Sequence, residues 1–459
     1  MLNVSITPHR EFLPADAPEQ KLFFMLKLRP TKDVAGTRPS TTFTFVIDTS
    51  GSMYEAVTGE PKPTGRTYFQ DGKEYTEVTG VQAKIDIVIQ SLLHLIRSEK
   101  LQMSDRVSIV QFDDQASTII ELTPATQVVQ LEDAIANLRK FSGGTCMAKG
   151  LHQALDLLKN ENMTIRRALL FTDGQTVDEY ECRELAQQFA SNNIPITALG
   201  VGEFNEELLI SLSDTTGGSQ FYVVPGNSIG TQISITDLPK TISEEFTQAQ
   251  QEVITNLAVT VKTVQGVKLT RIVRAYPSQA EFPLIQEPYP IGNASANDET
   301  VFILEFTIAP RTASKVRIAQ LGLTYDVPGQ NRRGELLPQN VVVQFVAGQM
   351  AAQVDQEVMS YVQQCNIAQL VGQATRVAEQ NPQHAEELLE TARRMTQKLG
   401  NQAMTVSLEE AQNELRKTRK LSSGTRKTVK MGSKGKTMKM GSDINNELSE
   451  EQIRKVSGT

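Results

Sequence analysis

Asp48, Ser50 and Ser52 are three small oxygen donors spaced two residues apart, with Gly51 between the serines. They follow directly on Phe43-Thr44-Phe45-Val46-Ile47, an apolar, uncharged run of β-branched and aromatic residues. Such a run suits a strand buried on both faces of a sheet. A buried strand that ends in alternating oxygens is a natural place to hold a hard cation, because Mg²⁺ takes oxygen ligands in octahedral geometry and keeps positions open for water or a partner. The same three residues also fit a plainer role, an N-cap with turn serines ahead of a helix.

Two later stretches bear on that choice. Phe141-Ser142-Gly143-Gly144-Thr145 is a glycine-rich turn that opens a helix-like segment, Met147 to Leu158. Ala168-Leu169-Leu170-Phe171-Thr172-Asp173-Gly174 is a second buried-type strand ending in an acid and a glycine. Three oxygen-bearing loops in this order, on a chain of alternating strands and helices, resemble the von Willebrand factor type A (VWA) domain with its metal-ion-dependent adhesion site (MIDAS), in a bacterial cytosolic type of protein. The resemblance covers about residues 38 to 240 and all five motif positions: Asp48, Ser50, Ser52, Thr145 and Asp173. It implies Mg²⁺ (or Mn²⁺) bound directly by the Ser50 and Ser52 hydroxyls, joined by Thr145 when a ligand is engaged, with Asp48 and Asp173 direct or through water. Neutral hydroxyls leave such an ion electrophilic, so a protein partner's Asp or Glu can complete its shell.

The elements that must position these residues follow from periodicity. Helices are expected over Val81–Ser98, Val128–Leu138, Met147–Leu158, Glu179–Ser191 and Asn205–Leu212. Strands are expected at Arg106–Phe112, Ala168–Phe171, Ile196–Val201 and Gln220–Val224, with Ser117–Leu122 as an antiparallel edge. Alternation of this kind predicts a Rossmann-like, doubly wound sheet whose ligands gather at the carboxyl ends of its strands. An insertion between Ser52 and Val81 carries Asp71-Gly72 between aromatic flanks, a hairpin signal. Tyr68, Phe69 and Tyr75 on it are candidate partner-binding residues beside the ion.

Residues 1–37 and 241–348 read as strands with Pro and Gly turns. The former are expected to complete a β-sandwich with the latter, so that the VWA segment (38–240) is inserted in it. Residues 349–420 read as a small helical bundle, with Ser407 and Glu410 as a capping box. The last segment, 421–459, is basic. Between Leu415 and Ser442 stand ten Lys/Arg and no Asp/Glu, which leaves about −17 on the rest of a chain of net charge −7. Lys427-Thr428-Val429-Lys430-Met431-Gly432-Ser433 recurs as Lys436-Thr437-Met438-Lys439-Met440-Gly441-Ser442. This composition predicts a disordered arm. Thr425, Thr428 and Thr437 after basic residues suit a Ser/Thr kinase, and a phosphothreonine there suits a forkhead-associated domain. A passive arm with salt-dependent nucleic-acid affinity is the alternative, weakened by the lack of aromatics for base stacking.

The other function classes fare less well. Four scattered histidines and three scattered cysteines, with no C-x-x-C, argue against zinc chemistry and a disulfide framework. No G-x-x-x-x-G-K-[ST] is present and Ser50 has no neighbouring His, so an enzyme is not expected. No apolar run approaches about 20 residues, so neither a membrane span nor a leader is read and a cytoplasmic location is expected. The expected function is a non-enzymatic adaptor. The alternative is a VWA subunit of an AAA+ ATPase complex of the MoxR or chelatase type.

Overall fold

The computed structural model describes residues 1–70, 73–348 and 353–441. Two compact units emerge, one of residues 39–213 and 220–250 and one of residues 1–38, 214–219 and 251 onward.

The first unit holds a seven-stranded sheet. Thr41–Asp48 lies at its heart, parallel to Ile165–Thr172 on one side and to Arg106–Phe112 on the other. Ile196–Val201, Gln220–Val224 and Ile233–Ser234 extend the parallel set, and Ala116–Pro124 closes the far edge antiparallel. The uncharged Phe43–Ile47 run is explained by burial on both faces. Phe43, Phe45 and Ile47 join a core with Ile85, Val88, Leu92 and Phe246 from the helices Lys84–Ile96 and Leu238–Gln250. The helix Met147–Leu158 packs against the same strand, where Thr44 hydrogen-bonds Ser108 between their hydroxyls at 2.8 Å.

The helix expected from Val81 starts at Lys84 instead, because Lys73–Ala83 is a strand paired with Ala56–Gln70 in a two-stranded antiparallel ribbon. Val78, Thr79 and Val81 favour the extended form, and Asp86 caps the helix by accepting from the Ala83 N–H at 3.0 Å.

The second unit contains two five-stranded sheets. Gln20–Pro30 pairs with Leu2–Pro8 and with Thr300–Ile308, so segments nearly 300 residues apart share a ladder. Successive side chains enter opposite faces, both of them covered, which explains why Leu22–Leu26 is apolar throughout. Leu22, Phe24, Leu26 and Leu28 enter a core shared with the sheet of Glu252–Thr263, Ser314–Val327 and Arg332–Val346. Phe23 and Met25 face the other way and pack under the C-terminal helices Gln356–Val377, Pro382–Lys398 and Gln402–Thr418. The proposed capping box at Ser407 is not the start of that last helix. Asn401 caps it, accepting from the Met404 N–H at 3.1 Å, and Ser407 is interior, its hydroxyl donating to the Ala403 carbonyl.

The arm expected to be disordered is folded through residue 441. Ser423–Ser433 is a helix capped by Ser422, with Lys427, Thr428, Val429 and Met431 buried. Beyond it an extended stretch buries Thr437 and Met440. The composition argument fails because the stretch needs no core of its own: it supplies Val429 and Met440 to a core built by the other helices and the sheet. Thr428 and Thr437 are therefore hidden from a kinase in the folded chain, while Thr425 is partly exposed. Residues 442–459 lie outside the described ones.

His9 is buried, and its Nδ1 accepts from the Phe23 N–H at 3.1 Å. Burial first, then Arg10, lowers its pKa to about 3 from 6.5. A lowered folded value means the unfolded chain takes up the proton first, so stability is complete above pH 6.5 and falls as the pH drops toward about 3. The full loss is roughly 3–5 kcal/mol. His9→Asn keeps an acceptor for the Phe23 N–H and should flatten this part of the profile in denaturant titrations. Equal acid slopes for the two proteins would refute it.

Candidate functional site

The site lies at the carboxyl ends of Thr41–Asp48 and Ile165–Thr172, where a parallel sheet exposes the loops that follow its strands. Asp48 is fully buried. Its Oδ1 accepts from the Ser50 N–H at 2.9 Å and its Oδ2 from the Thr172 hydroxyl at 2.6 Å. Burial, then the neighbouring Asp173, pushes its carboxyl up to about 6, while the hydrogen bonds from Ser50 and Thr172 oppose the shift. Thr49 anchors the turn by donating to Gln111 Oε1 at 2.8 Å and toward the Phe112 carbonyl.

Ser50 Oγ and Ser52 Oγ are 3.2 Å apart, and the Ser52 hydroxyl donates to Asp173 Oδ1 at 2.8 Å. The Gly51 N–H donates to the Gly143 carbonyl at 3.0 Å, which ties the first loop to the glycine-rich one. A side chain on Gly144 would come within 2.4 Å of Asp114 Oδ1, so the exposed Asp114 side chain would have to swing aside. Thr145 enters from the same loop. A methyl group on Gly174 would stand 3.7 Å from Thr145 Oγ1 and 4.0 Å from Ser52 Oγ, so both hydroxyls flank one small space. Among the described residues no hydrogen bond joins the Thr145 hydroxyl to the other four side chains. The Thr145 carbonyl is held by the Val177 N–H at 3.3 Å, and the Met147 N–H donates to Thr176 Oγ1 at 3.0 Å.

The sequence reading missed Lys84. Its side chain is almost fully buried, with Nζ 2.7 Å from Asp173 Oδ2, 2.8 Å from Glu55 Oε2 and 3.2 Å from the Ser52 carbonyl. Burial alone would lower the lysine's pKa, but Asp173 and Glu55 outweigh it and the net shift is upward. One signal was available: a cation at a helix's first residue opposes the macrodipole, so a lysine there calls for an anionic partner.

The ribbon springs from the site, since Ala56 pairs with Ala83 between Glu55 and Lys84. Its aromatic pairs do not stand at the ion-side end, however. Tyr68 pairs with Tyr75 at the far end of the ribbon, about twelve residues out, or roughly 40 Å along an extended strand; Asp71-Gly72, where the hairpin turn was expected, lies outside the described residues. Phe69 is 76% exposed there; the side chains of Tyr68 and Tyr75 lie outside the described ones. An exposed apolar residue nearer the rim is Val177, at 84%.

Residues 43–233 match the von Willebrand factor type A domain, and residues 356–439 match the Sll0103-like C-terminal alpha-helical domain. The chain thus carries a VWA domain, a fold that mediates protein interactions, together with a C-terminal helical domain. It is 23% identical to the uncharacterized protein sll0103 of Synechocystis sp., over 76% of this chain and 83% of that one. Among solved structures it is similar to a von Willebrand factor type A protein from Catenulispora acidiphila (15% identity, TM-score 0.72, 95% of this chain and 97% of that one). It is also similar to the ArnB paralog VWA2 from Sulfolobus acidocaldarius (14% identity, TM-score 0.57, 94% and 97%). At these identities the two structures speak for the fold alone. Among the described residues no helix is long and apolar enough to cross a membrane, and no group of three or more His, Cys, Asp or Glu is arranged for a metal. The set at the site is of another kind, two carboxylates with three hydroxyls.

Proposed function

We propose that the chain is a non-catalytic adaptor that grips an acidic side chain of a protein partner through a Mg²⁺ (or Mn²⁺) held by Asp48, Ser50, Ser52, Thr145 and Asp173. The observation that carries this reading is the convergence of oxygens from three separate loops at one rim of the sheet, at spacings an octahedral ion accepts. Mg²⁺ ligands lie about 2.0–2.1 Å from the ion, which sets neighbouring oxygens of an octahedron roughly 2.9 Å apart. Ser50 Oγ to Ser52 Oγ is 3.2 Å and Ser52 Oγ to Asp173 Oδ1 is 2.8 Å. The donors are all oxygen, as a hard cation requires. Bound there, the ion would supply an electrophilic centre with room for a carboxylate. Asp48 would act from beneath, its two oxygens already oriented by Ser50 and Thr172. Val177 would lend apolar contact at the rim.

A direct test titrates Mn²⁺ into the full chain by electron paramagnetic resonance. Wild type should bind the ion and Ser52→Ala, which removes the hydroxyl between Ser50 and Asp173, should not. Partner proteins captured from a lysate in Mg²⁺ should be released by EDTA. Equal Mn²⁺ uptake by the variant, or capture indifferent to the chelator, would overturn the reading.

A further inference from the structure

We infer that Lys84 is a tethered counter-charge that weakens the site's hold on its divalent ion and strengthens the ion-loaded site's hold on a carboxylate. The inference rests on the adaptor reading and deepens it. Lys84 is the first residue of the helix Lys84–Ile96, directly after the ribbon strand Lys73–Ala83. Each of its three ammonium hydrogens has an acceptor: Asp173 Oδ2 at 2.7 Å, Glu55 Oε2 at 2.8 Å and the Ser52 carbonyl at 3.2 Å. Two of these acceptors belong to candidate ligand residues.

Asp173 is thereby divided. Oδ2 faces the ammonium and Oδ1 faces the Ser52 hydroxyl. Only one oxygen is left on the hydroxyl side, so bidentate coordination by Asp173 would require breaking the ion pair. Charge counting gives the second consequence. Asp48 and Asp173 would just neutralise a divalent ion, and a neutral centre attracts an incoming carboxylate weakly. Lys84 leaves the loaded site with one net positive charge inside a region shielded from water, where such a charge counts for more. Glu55 is 61% exposed and its charge is largely screened. A lysine that only supported the fold would not move the two affinities in opposite directions, whereas a counter-charge must.

The experiment uses the full chain with Lys84→Met, Lys84→Gln and the charge-keeping Lys84→Arg. Mn²⁺ affinity is read by electron paramagnetic resonance. Carboxylate affinity of the Mn²⁺-loaded protein is read by paramagnetic broadening of the ¹³C-carboxyl resonance of acetate. Both neutral variants should bind Mn²⁺ on the order of tenfold more tightly and acetate on the order of tenfold more weakly, with Lys84→Arg close to wild type in acetate binding. If the neutral variants do not fold, Glu55→Gln, at an exposed position, should shift both affinities the other way by about twofold; no shift there overturns the inference. Unchanged or weaker Mn²⁺ binding in folded neutral variants also overturns it, while wild-type binding leaves the adaptor reading standing. Binding by the neutral variants but not by wild type removes the adaptor reading and overturns the inference with it, since the natural site would have no ion with which to hold a carboxylate. Binding by none removes both.

Discussion

Asp48→Asn should make the metal-free protein more stable at neutral pH and abolish its stabilisation by Mg²⁺. The two effects share one cause, a carboxylate placed where water cannot solvate it. Asp48 is fully buried, and burial together with Asp173 raises its pKa from 3.8 to about 6. A folded value above the unfolded one means that stability is complete below pH 3.8 and is lost as the pH rises through about 6. At pH 7 the loss is on the order of 1–3 kcal/mol. Asparagine removes the charge and keeps the local bonds: its Oδ1 accepts from the Ser50 N–H, and its amide donates to the Thr172 hydroxyl. What it cannot do is balance a divalent ion. Wild type with Mg²⁺ at about a hundred times its Kd should gain roughly 2.7 kcal/mol, and the variant nothing. Thermal melts in EDTA and in excess Mg²⁺ measure both. A variant that melts below wild type in EDTA, or that still responds to Mg²⁺, would contradict the account.

What was legible in the chain and what was not depends on whether the signal is local in sequence. Asp48, Ser50 and Ser52 could be found because the Phe43–Ile47 run before them carries no charge, and its one hydroxyl, that of Thr44, is met by Ser108. The helices Met147–Leu158 and Glu179–Ser191 were legible end to end, since each has one apolar stripe of helical period. Lys84 was not legible. A lysine beside Ile85 and Val88 reads as a solvated helix end, and its partner Asp173 is 89 residues away. The ribbon was seen as a short hairpin around Asp71-Gly72, yet the pairing runs back to Ala56 and Ala83. Its bulges at Gly59–Lys62 and Pro63–Thr67 break the alternation that would have marked the strands. Ser407 with Glu410 matched a capping box by spacing alone, but the helix had already begun at Gln402 because Asn401 caps it.

The repeated heptad misled most, and it yields the second large effect: Met440→Ala should cost about 2–4 kcal/mol, whereas Met438→Ala, two residues earlier in the same repeat, should cost almost nothing. The two copies differ in sequence only at Val429 and Met438, yet they do not share a structure. The first lies in the helix Ser423–Ser433 and buries Val429 and Met431. The second is not helical and follows no strand alternation, which would set residues 438 and 440 on one face; Thr437 and Met440 turn inward, Met440 at 3% exposure, and Met438 is left out at 39%. The extended copy is held by the Thr437 N–H on the Pro277 carbonyl at 3.0 Å, the Met438 N–H on Gln364 Oε1 at 2.9 Å and the Met440 N–H on the Tyr361 hydroxyl at 3.1 Å. Lys434 pairs with the buried Asp214 carboxylate. Ending the chain after Ser433 should therefore cost more than Met440→Ala, since it also strips a buried carboxylate of its cation. Denaturant midpoints for the three proteins rank these effects. If Met440→Ala and Met438→Ala unfold together with wild type, the extended copy does not dock in solution, Thr437 is open to modification, and the basic arm is free to seek a partner.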